Sequence, residues 1–200
     1  MALLLNWVIF NTTTYSKFIP NSKLRMGLIP TPLFAFPEKV WGYRSVEKEA
    51  LDLRGFGNSS DQGASLEGNF DKNGNSGFTA MIGNGSGNKP IANKYLEYYL
   101  SVHKRFFDKK LNVELMMDYK RLNTEQERIL FRTFGSYELP NFRFGVEISP
   151  NSFDQTVKIG TESQVVQTKP FLGSTFAAAK LHKNSLVICT LGLPESGYKL

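Results

Sequence analysis

The chain has 200 residues, of which 41% are hydrophobic and 21% charged; this composition suits one folded domain and excludes a disordered polypeptide. Its net charge of +6 comes from side chains scattered along the sequence, so there is no basic arm for nucleic acid and we expect no nucleic-acid partner. Cys189 is the single cysteine, which excludes an internal disulfide and any metal cluster built on cysteines.

The first ten residues, MALLLNWVIF, are apolar, but Asn6 interrupts the run and no basic residue precedes it. A signal peptide and a strand whose upstream sequence is missing both remain open. The strand fits better, because no small-residue cleavage site follows closely. No apolar run in the chain reaches the roughly 20 residues of a membrane-spanning helix.

Most of the chain alternates apolar and polar residues, which is the period of a strand with one apolar and one polar face. In the run YLEYYLSVHKRF, for example, Leu100 and Val102 oppose Ser101 and His103. No helical stripe of comparable length competes. Four runs show the pattern clearly, at residues 63–70, 95–106, 111–121 and 142–149, and a fifth at 129–138 fits it less regularly.

The predicted connections alternate in length along the chain. Tight clusters of turn-forming residues lie at Pro20, Asp71, Asp108, Leu139 and His182. Between them we predict longer loops at Phe34–Asp61, Gly85–Lys94, Leu122–Arg128 and Pro150–Gly173. This rhythm predicts an all-β fold, an antiparallel up-and-down meander of about ten strands, in a single domain over residues 1–200.

Such a meander occurs in soluble barrels or sandwiches and in transmembrane barrels, and the pattern alone leaves both open. Aromatic residues near strand ends favour the membrane barrel, because outer-membrane barrels carry aromatic girdles. The aromatic residues concerned are Trp41, Tyr43, Tyr95, Phe106, Phe107, Tyr119 and Phe142. The polar face would then line a wet lumen, with Arg25, Glu67, Glu97, Arg105, Glu114, Arg132, Arg143 and Glu147 as candidate lumen wall.

The glycine-rich stretch FTAMIGNGSGNKP invites comparison with a phosphate-binding loop. Such a loop requires lysine directly after its last glycine and a helix next, whereas Asn88 separates Gly87 from Lys89 and Pro90 follows. We therefore predict a turning backbone in an exposed hairpin loop, without a nucleotide site.

Four pieces of the sequence occur in the order seen in one porin family. They are LRMGLIPTPLF, EKVWGYRSVEKEALDL, SSDQGASLEGNF and FTAMIGNGSG, all between residues 21 and 87. Together they resemble the Gram-negative phosphate-selective porin O and P family, and the WGYRSVEK variant looks like the porins of the Bacteroidota. The likeness is weaker through residue 149 and faint beyond it.

The resemblance implies an outer-membrane barrel, usually a homotrimer, through which small hydrophilic solutes or anions diffuse passively. It also implies that residues 34–61 fold into the lumen as a constriction, with Lys39, Arg44, Lys48 and Arg54 as candidate residues. Nearby acidic residues make this loop formally neutral, so at most a weak preference for anions is expected. About ten strands are fewer than the family has, so we expect an incomplete chain that forms part of a larger barrel.

No catalytic constellation is evident in the sequence, so we expect no enzyme, no cofactor and no metal. His103 and His182 are the only histidines, and no nucleophile elbow of the form G-x-S-x-G is present. The alternative function is a soluble or surface β-barrel that binds a ligand or partner through its long loops.

Overall fold

The computed structural model describes residues 12–15, 21–45, 48–90, 94–159, 162–182 and 185–193. Its eleven strands form one antiparallel sheet in the order β1-β2-β3-β4-β5-β6-β7-β8-β10-β11, and β9 also pairs with β8. The strands are β1 Thr12–Tyr15, β2 Ser22–Pro30, β3 Ser60–Asn69, β4 Ser76–Gly83, β5 Glu97–Phe106, β6 Leu111–Arg121, β7 Glu127–Leu139, β8 Phe142–Ile159, β9 Glu162–Thr168, β10 Phe171–His182 and β11 Ser185–Leu193. The predicted up-and-down antiparallel sheet is confirmed. Within these residues β1 and β11 do not pair, so the sheet is open.

Two helices lie in the long connection between β2 and β3. They are α1, Pro32–Trp41, and α2, Ala50–Leu53. We call residues 31–59 the infolded segment, because α1 packs against β4, β5 and β6 across one face of the sheet. No helix among the described residues is long and apolar enough to cross a lipid bilayer.

The prediction of a loop from Phe34 was wrong in detail, because the helix begins at Pro32. Thr31 precedes the helix in an extended conformation, and Pro32 occupies the first turn, where its missing N–H is not needed. Gly42 ends the helix at φ 76°, the left-handed conformation that favours glycine.

The predicted long loop at Pro150–Gly173 was also wrong. β8 continues through Pro150 to Ile159 and pairs with β9, Glu162–Thr168. The first half of β8 pairs with β10 and its second half pairs with β9, so β9 and β10 follow one long strand edge. Pro150 is tolerated because the β7–β8 ladder is interrupted between the pairs Leu130–Asn151 and Thr133–Ile148. There the Ser149 hydroxyl donates to the Phe131 carbonyl at 2.5 Å instead.

The described parts of the other predicted connections lie where they were predicted, except that β7 starts inside the predicted loop Leu122–Arg128. The predicted turn at Pro20, most of the turn that begins at His182 and part of the loop Gly85–Lys94 lie outside the described residues. β4 ends at Gly83 and β5 starts at Glu97, while β6 ends at Arg121 and β7 starts at Glu127. The turns after Asp71, Asp108 and Leu139 join consecutive strands directly. The long connections therefore lie at one end of the sheet and these short turns at the other, whereas the pair Ile159–Glu162, where β8 meets β9, lies at the end with the long connections.

Burial is inverted relative to a water-soluble sheet. The polar residues of the strands are covered by the infolded segment, and we call this side the inner face. The apolar core is small and lies between the infolded segment, which contributes Leu33, Phe34, Leu51 and Phe56, and the inner-face residues Met81, Tyr99, Met116, Leu130 and Leu172. The opposite side, the outer face, carries the exposed apolar residues.

Candidate functional site

All eight predicted lumen-wall residues lie on the inner face. Glu97, Glu114, Arg132 and Glu147 are buried there. The remaining four contact the infolded segment or line a cavity beside it; they are Arg25, Glu67, Arg105 and Arg143. The alternation in the sequence therefore predicted that these side chains share one face, and the lumen itself stays a prediction.

Ion pairs connect the buried charges of neighbouring strands. Arg132 donates to Glu114 at 2.6 Å, and the Ser101 hydroxyl donates to the same carboxylate at 2.5 Å. Nearer the long loops, Arg128 pairs with Asp118 at 2.6 Å and also with Glu97. Buried charges are tolerated only when they are paired in this way, so the inner face is an ordered polar surface.

Three arginines attach the infolded segment to the sheet through its backbone carbonyls. Arg143 donates to the Trp41 carbonyl at 2.7 Å and Arg128 to the Phe56 carbonyl at 3.0 Å. Between them, Arg132 donates to the carbonyls of Pro32 and Leu33. Because a guanidinium has five donors, each arginine can hold a carbonyl and a carboxylate together. The infolded segment is thus fixed at the first turn of α1, at the last residue of α1 and near its own C-terminal end.

The four predicted constriction residues do not converge on one point. Lys39 is exposed and lines the larger cavity described below. Arg44 lies 2.6 Å from Glu38, and Lys48 lies 3.3 Å from Asp52, so both charges are paired. Arg54 is exposed and lines a second, smaller cavity. Val46 and Glu47 lie outside the described residues.

The larger cavity has a volume of about 920 Å³ and lies between α1 and strands β2 to β5. Its wall has two carboxylates, Glu67 and Glu114, and both are engaged by arginine. Six cationic side chains line it, namely Lys23, Arg25, Lys39, Lys72, Arg105 and Lys109. This cationic chamber therefore has an excess of positive charge, although the predicted constriction loop is formally neutral.

The side chains of Phe36, His103 and Arg105 pack together on the wall of the chamber. The rings of Phe36 and His103 stack with centroids 4.7 Å apart, and the Arg105 guanidinium lies 5.4 Å from the Phe36 centroid. His103 is thus one member of a packed wall. Its partners are an aromatic ring and a cation, which do not form a nucleophile–base pair.

The glycine-rich stretch binds an anion that belongs to the protein itself. The Asp61 carboxylate accepts hydrogen bonds from the backbone N–H of Gly85 at 2.8 Å and of Gly87 at 2.9 Å. Both glycines have positive φ angles, near 69° and 66°, which turn their N–H groups towards one point. The predicted absence of a nucleotide loop agrees with this geometry, because Asp61 already occupies the donors.

The smaller cavity has a volume of about 240 Å³ and lies between the infolded segment and strands β7, β8 and β10. Glu49 at the start of α2 and Glu147 on β8 both line it. Burial raises the pKa of Glu49 well above its ordinary value of 4.5, and the neighbouring Glu147 carboxylate raises it further, against the opposing effect of Arg132. Within the described part of the chain no cluster of three or more His, Cys, Asp or Glu side chains could hold a metal ion.

Sequence reasoning missed Asp61, Arg128 and the pair formed by Glu49 with Glu147. Arg128 was placed at the end of a loop, although the alternation Arg128, Leu130, Arg132 extends the strand to it. Trp41 and Tyr43 were predicted as girdle aromatics, which was wrong. They belong to the infolded segment, where the Trp41 ring packs 4.4 Å from that of Phe176.

No protein-family model, curated protein or solved structure shows significant similarity to the chain. The resemblance to the phosphate-selective porins therefore stays a prediction, and the function is argued from the two faces of the sheet.

Proposed function

We propose that this chain forms the wall of a porin-type barrel in the outer membrane, through which small hydrophilic solutes diffuse with a weak preference for anions. The observation that carries the proposal is the inversion of the two faces. In a water-soluble β-protein the apolar face is buried and the charged face is solvated; here the charged face is covered. No catalytic residue is required, because a wet lumen of fixed charge and width suffices for diffusion.

The outer face offers lipid a largely apolar surface, in which Lys104 lies near the short-turn end. Leu115 on β6 is 59% exposed and Phe131 on β7 is 48% exposed. They belong to a band of large exposed hydrophobic residues that crosses the middle strands and includes Leu100, Val102, Met117, Tyr137, Phe144 and Ile148. A patch of this extent is unusual on a soluble monomer and typical of a surface that contacts lipid or another protein.

The height of this band fits a bilayer. From Leu96 to Phe106 the chain extends about 34 Å at about 3.4 Å per residue. With a strand tilt of about 35–45°, this corresponds to a vertical span of about 24–28 Å, near the roughly 25 Å apolar band of outer-membrane barrels. Exposed phenylalanines, Phe106, Phe107 and Phe142, lie at the short-turn end. At the opposite end, the rings of Tyr98 and Tyr119 are 6.4 Å apart.

The inner face and the infolded segment supply a lumen and its selectivity. The cationic chamber would lower the electrostatic energy of a passing anion, and the infolded segment would narrow the space beside the chamber. The neutral pairing of Arg44 and Lys48 limits the preference to the chamber itself. In lipid the free edges of β1 and β11 are unfavourable, so the proposal includes their pairing within a larger closed barrel.

The first test is electrophoretic. The full chain is refolded in detergent and run on an SDS gel with and without heating, because closed membrane barrels resist SDS until they are boiled. We expect the unheated sample to migrate differently and to shift on heating. Reconstituted protein should then conduct ions across a planar bilayer, with a reversal potential in a KCl gradient that favours chloride modestly.

A soluble or surface β-protein that binds through its long loops is the competing function. It predicts that the protein stays monodisperse without detergent and migrates identically before and after heating. That pair of results would reject the pore. A heat-dependent shift with a reversal potential that favours potassium would reject the anion preference alone.

A further inference from the structure

We propose that the smaller cavity is a binding site for a small protonated primary amine, held between the carboxylates of Glu49 and Glu147 and an aromatic wall. This site goes beyond the proposed diffusion function and does not depend on it. It lies between α2 of the infolded segment and strand β8, separate from the cationic chamber.

The first argument is the unsatisfied hydrogen-bonding capacity of two buried carboxylates. Glu49 is 8% exposed and Glu147 is 4% exposed, and both side chains line the cavity. The Oε1 atom of each is buried and receives no hydrogen bond from another described residue; the two carboxyls face each other, and a hydrogen bond between them requires a shared proton. Buried polar atoms in native proteins are nearly always hydrogen-bonded, so an ammonium that enters the cavity and replaces this shared proton would give both carboxylates a donor.

The second argument is charge. Three buried carboxyls, those of Glu49, Glu114 and Glu147, surround Arg132. Arg132 is already committed to Glu114 at 2.6 Å and to the carbonyls of the first turn of α1. Its distance to Glu49 is 3.6 Å, longer than a hydrogen bond. The cavity wall thus has a surplus of buried negative charge, which an entering cation would compensate.

The lysine and the arginine that flank α2 do not remove this surplus. The Lys48 side chain is 53% exposed and pairs with Asp52. Arg54 also lines the cavity but is exposed to solvent, where its charge is screened. A buried ammonium between Glu49 and Glu147 would be screened much less.

The third argument concerns the body of the ligand. Trp41, Phe134 and Phe176 line the same cavity, and the ring centroids of Phe134 and Phe176 are 6.1 Å apart. These faces favour a hydrocarbon or aromatic body and attract a neighbouring cation. A bare metal ion would leave this wall unused. The volume of about 240 Å³ restricts the ligand to a compact molecule.

The test measures binding of 4-fluorobenzylammonium to the folded full chain in detergent by ¹⁹F NMR, with protein-free micelles as the blank. The neutral alcohol of the same shape, 4-fluorobenzyl alcohol, is titrated in parallel. We expect saturable binding of the amine and at least about tenfold weaker binding of the alcohol, because a charge-assisted hydrogen bond is lost. This comparison uses native protein and requires no variant.

Two variants locate the site. Glu147→Gln keeps the shape of the side chain and removes its charge, and should weaken amine binding at least about tenfold. Glu67→Gln removes the same charge from the inner face at the cationic chamber and should leave amine binding unchanged.

Equal binding of amine and alcohol, undiminished binding to Glu147→Gln, or no saturable binding at all would overturn the site. Displacement of the amine by equimolar Ca²⁺ would overturn it in favour of a metal site. None of these readouts depends on conductance, so the site and the pore can fail separately.

Discussion

At the scale of single residues, Asp61 occupies the donors that a phosphate-binding loop would offer to a ligand. Its carboxylate accepts from the N–H groups of Gly85, Gly87 and Gln62, the last at 3.0 Å. A turning glycine loop could be predicted from the sequence. The anion that it binds could not, because Asp61 lies more than twenty residues away and meets the loop only through the pairing of β3 with β4.

Replacing Asp61 by alanine should lower the free energy of unfolding by about 2–4 kcal/mol, because buried N–H groups left without an acceptor cost about 1–3 kcal/mol each. Urea unfolding of the refolded protein measures this loss. Asp71→Ala is the matched control: Asp71 accepts from the N–H groups of Asn75 and Ser76 in a solvent-exposed turn, where water can replace it. Equal losses in the two variants would contradict a buried role for Asp61.

The ionisation of Glu49 should make the free energy of unfolding fall as pH rises. Its pKa in the folded protein is raised above 4.5, mainly by burial, so the folded state holds a proton that the unfolded state releases. The unfolding free energy therefore declines as pH increases from about 4.5 through the raised pKa. Glu49→Gln should flatten this decline. The charged groups that face Glu49 are Glu147, Arg132, Glu114 and Glu38, and all remain in the variant.

Asp71 is the control, because its pKa shift has the opposite sign to that of Glu49. Hydrogen bonds from the Ser76 and Asn75 N–H groups lower its pKa below 3.8, so its contribution is present above that pH and is lost as pH falls through the lowered pKa. Asp71→Asn should therefore flatten the acid limb of a plot of urea midpoint against pH and leave the slope above about pH 5 unchanged. If Glu49→Gln and the native protein declined in parallel between pH 5 and 9, the buried proton on Glu49 would be excluded.

At the scale of elements, the end of α1 depends on Gly42. Alanine at this position is expected to cost about 1–2 kcal/mol, because φ is positive there and an L-residue is strained in the left-handed region. Its Cβ would also lie 2.9 Å from Nη1 of Arg143, which holds the Trp41 carbonyl. We expect faster amide hydrogen exchange over residues 32–41 in Gly42→Ala than in native protein.

Gly135→Ala is the control, since a Cβ added there on β7 meets nothing within 4 Å. It should leave exchange in α1 unchanged and alter stability little. Unchanged α1 exchange in Gly42→Ala would show that Gly42 and the Arg143 contact do not hold the helix end.

The elements differ in how far the sequence predicts them. Middle strands such as β6 are predicted well, because one face is apolar and the other polar over eleven residues. The helix α1 carried signals that strand periodicity obscured: Thr31 and Pro32 at its start, Gly42 at its end, and Phe36 and Val40 four residues apart on the buried side. β8 was predicted too short because Pro150 resembles a strand terminator, and the gap in the β7–β8 ladder that accommodates it is a tertiary feature.

At the scale of the whole molecule, the alternation predicted which residues share a face but not which face is covered. Period two is identical for a sheet whose apolar side faces a core and one whose apolar side faces lipid. The infolded segment answers this question for the inner face. Its residues Leu33, Phe34 and Leu51 are buried against that face, so the polar residues of the strands are covered. Whether water or lipid contacts the outer face is decided by an experiment with lipid.

Leu115→Arg provides that experiment, because the two environments predict opposite outcomes. Leu115 lies in the middle of β6 on the outer face, where an arginine in contact with lipid near the midplane should destabilise the folded protein by about 2–4 kcal/mol. On a surface in contact with water the same arginine should leave stability unchanged and improve solubility.

The measurement is urea unfolding of protein inserted in phospholipid vesicles, followed by tryptophan fluorescence. Thr79→Arg is the control, since Thr79 lines the cationic chamber, where an arginine stays solvated and should cost far less. A Leu115→Arg protein as stable as Thr79→Arg, and soluble without detergent, would place water at the outer face and reject the pore.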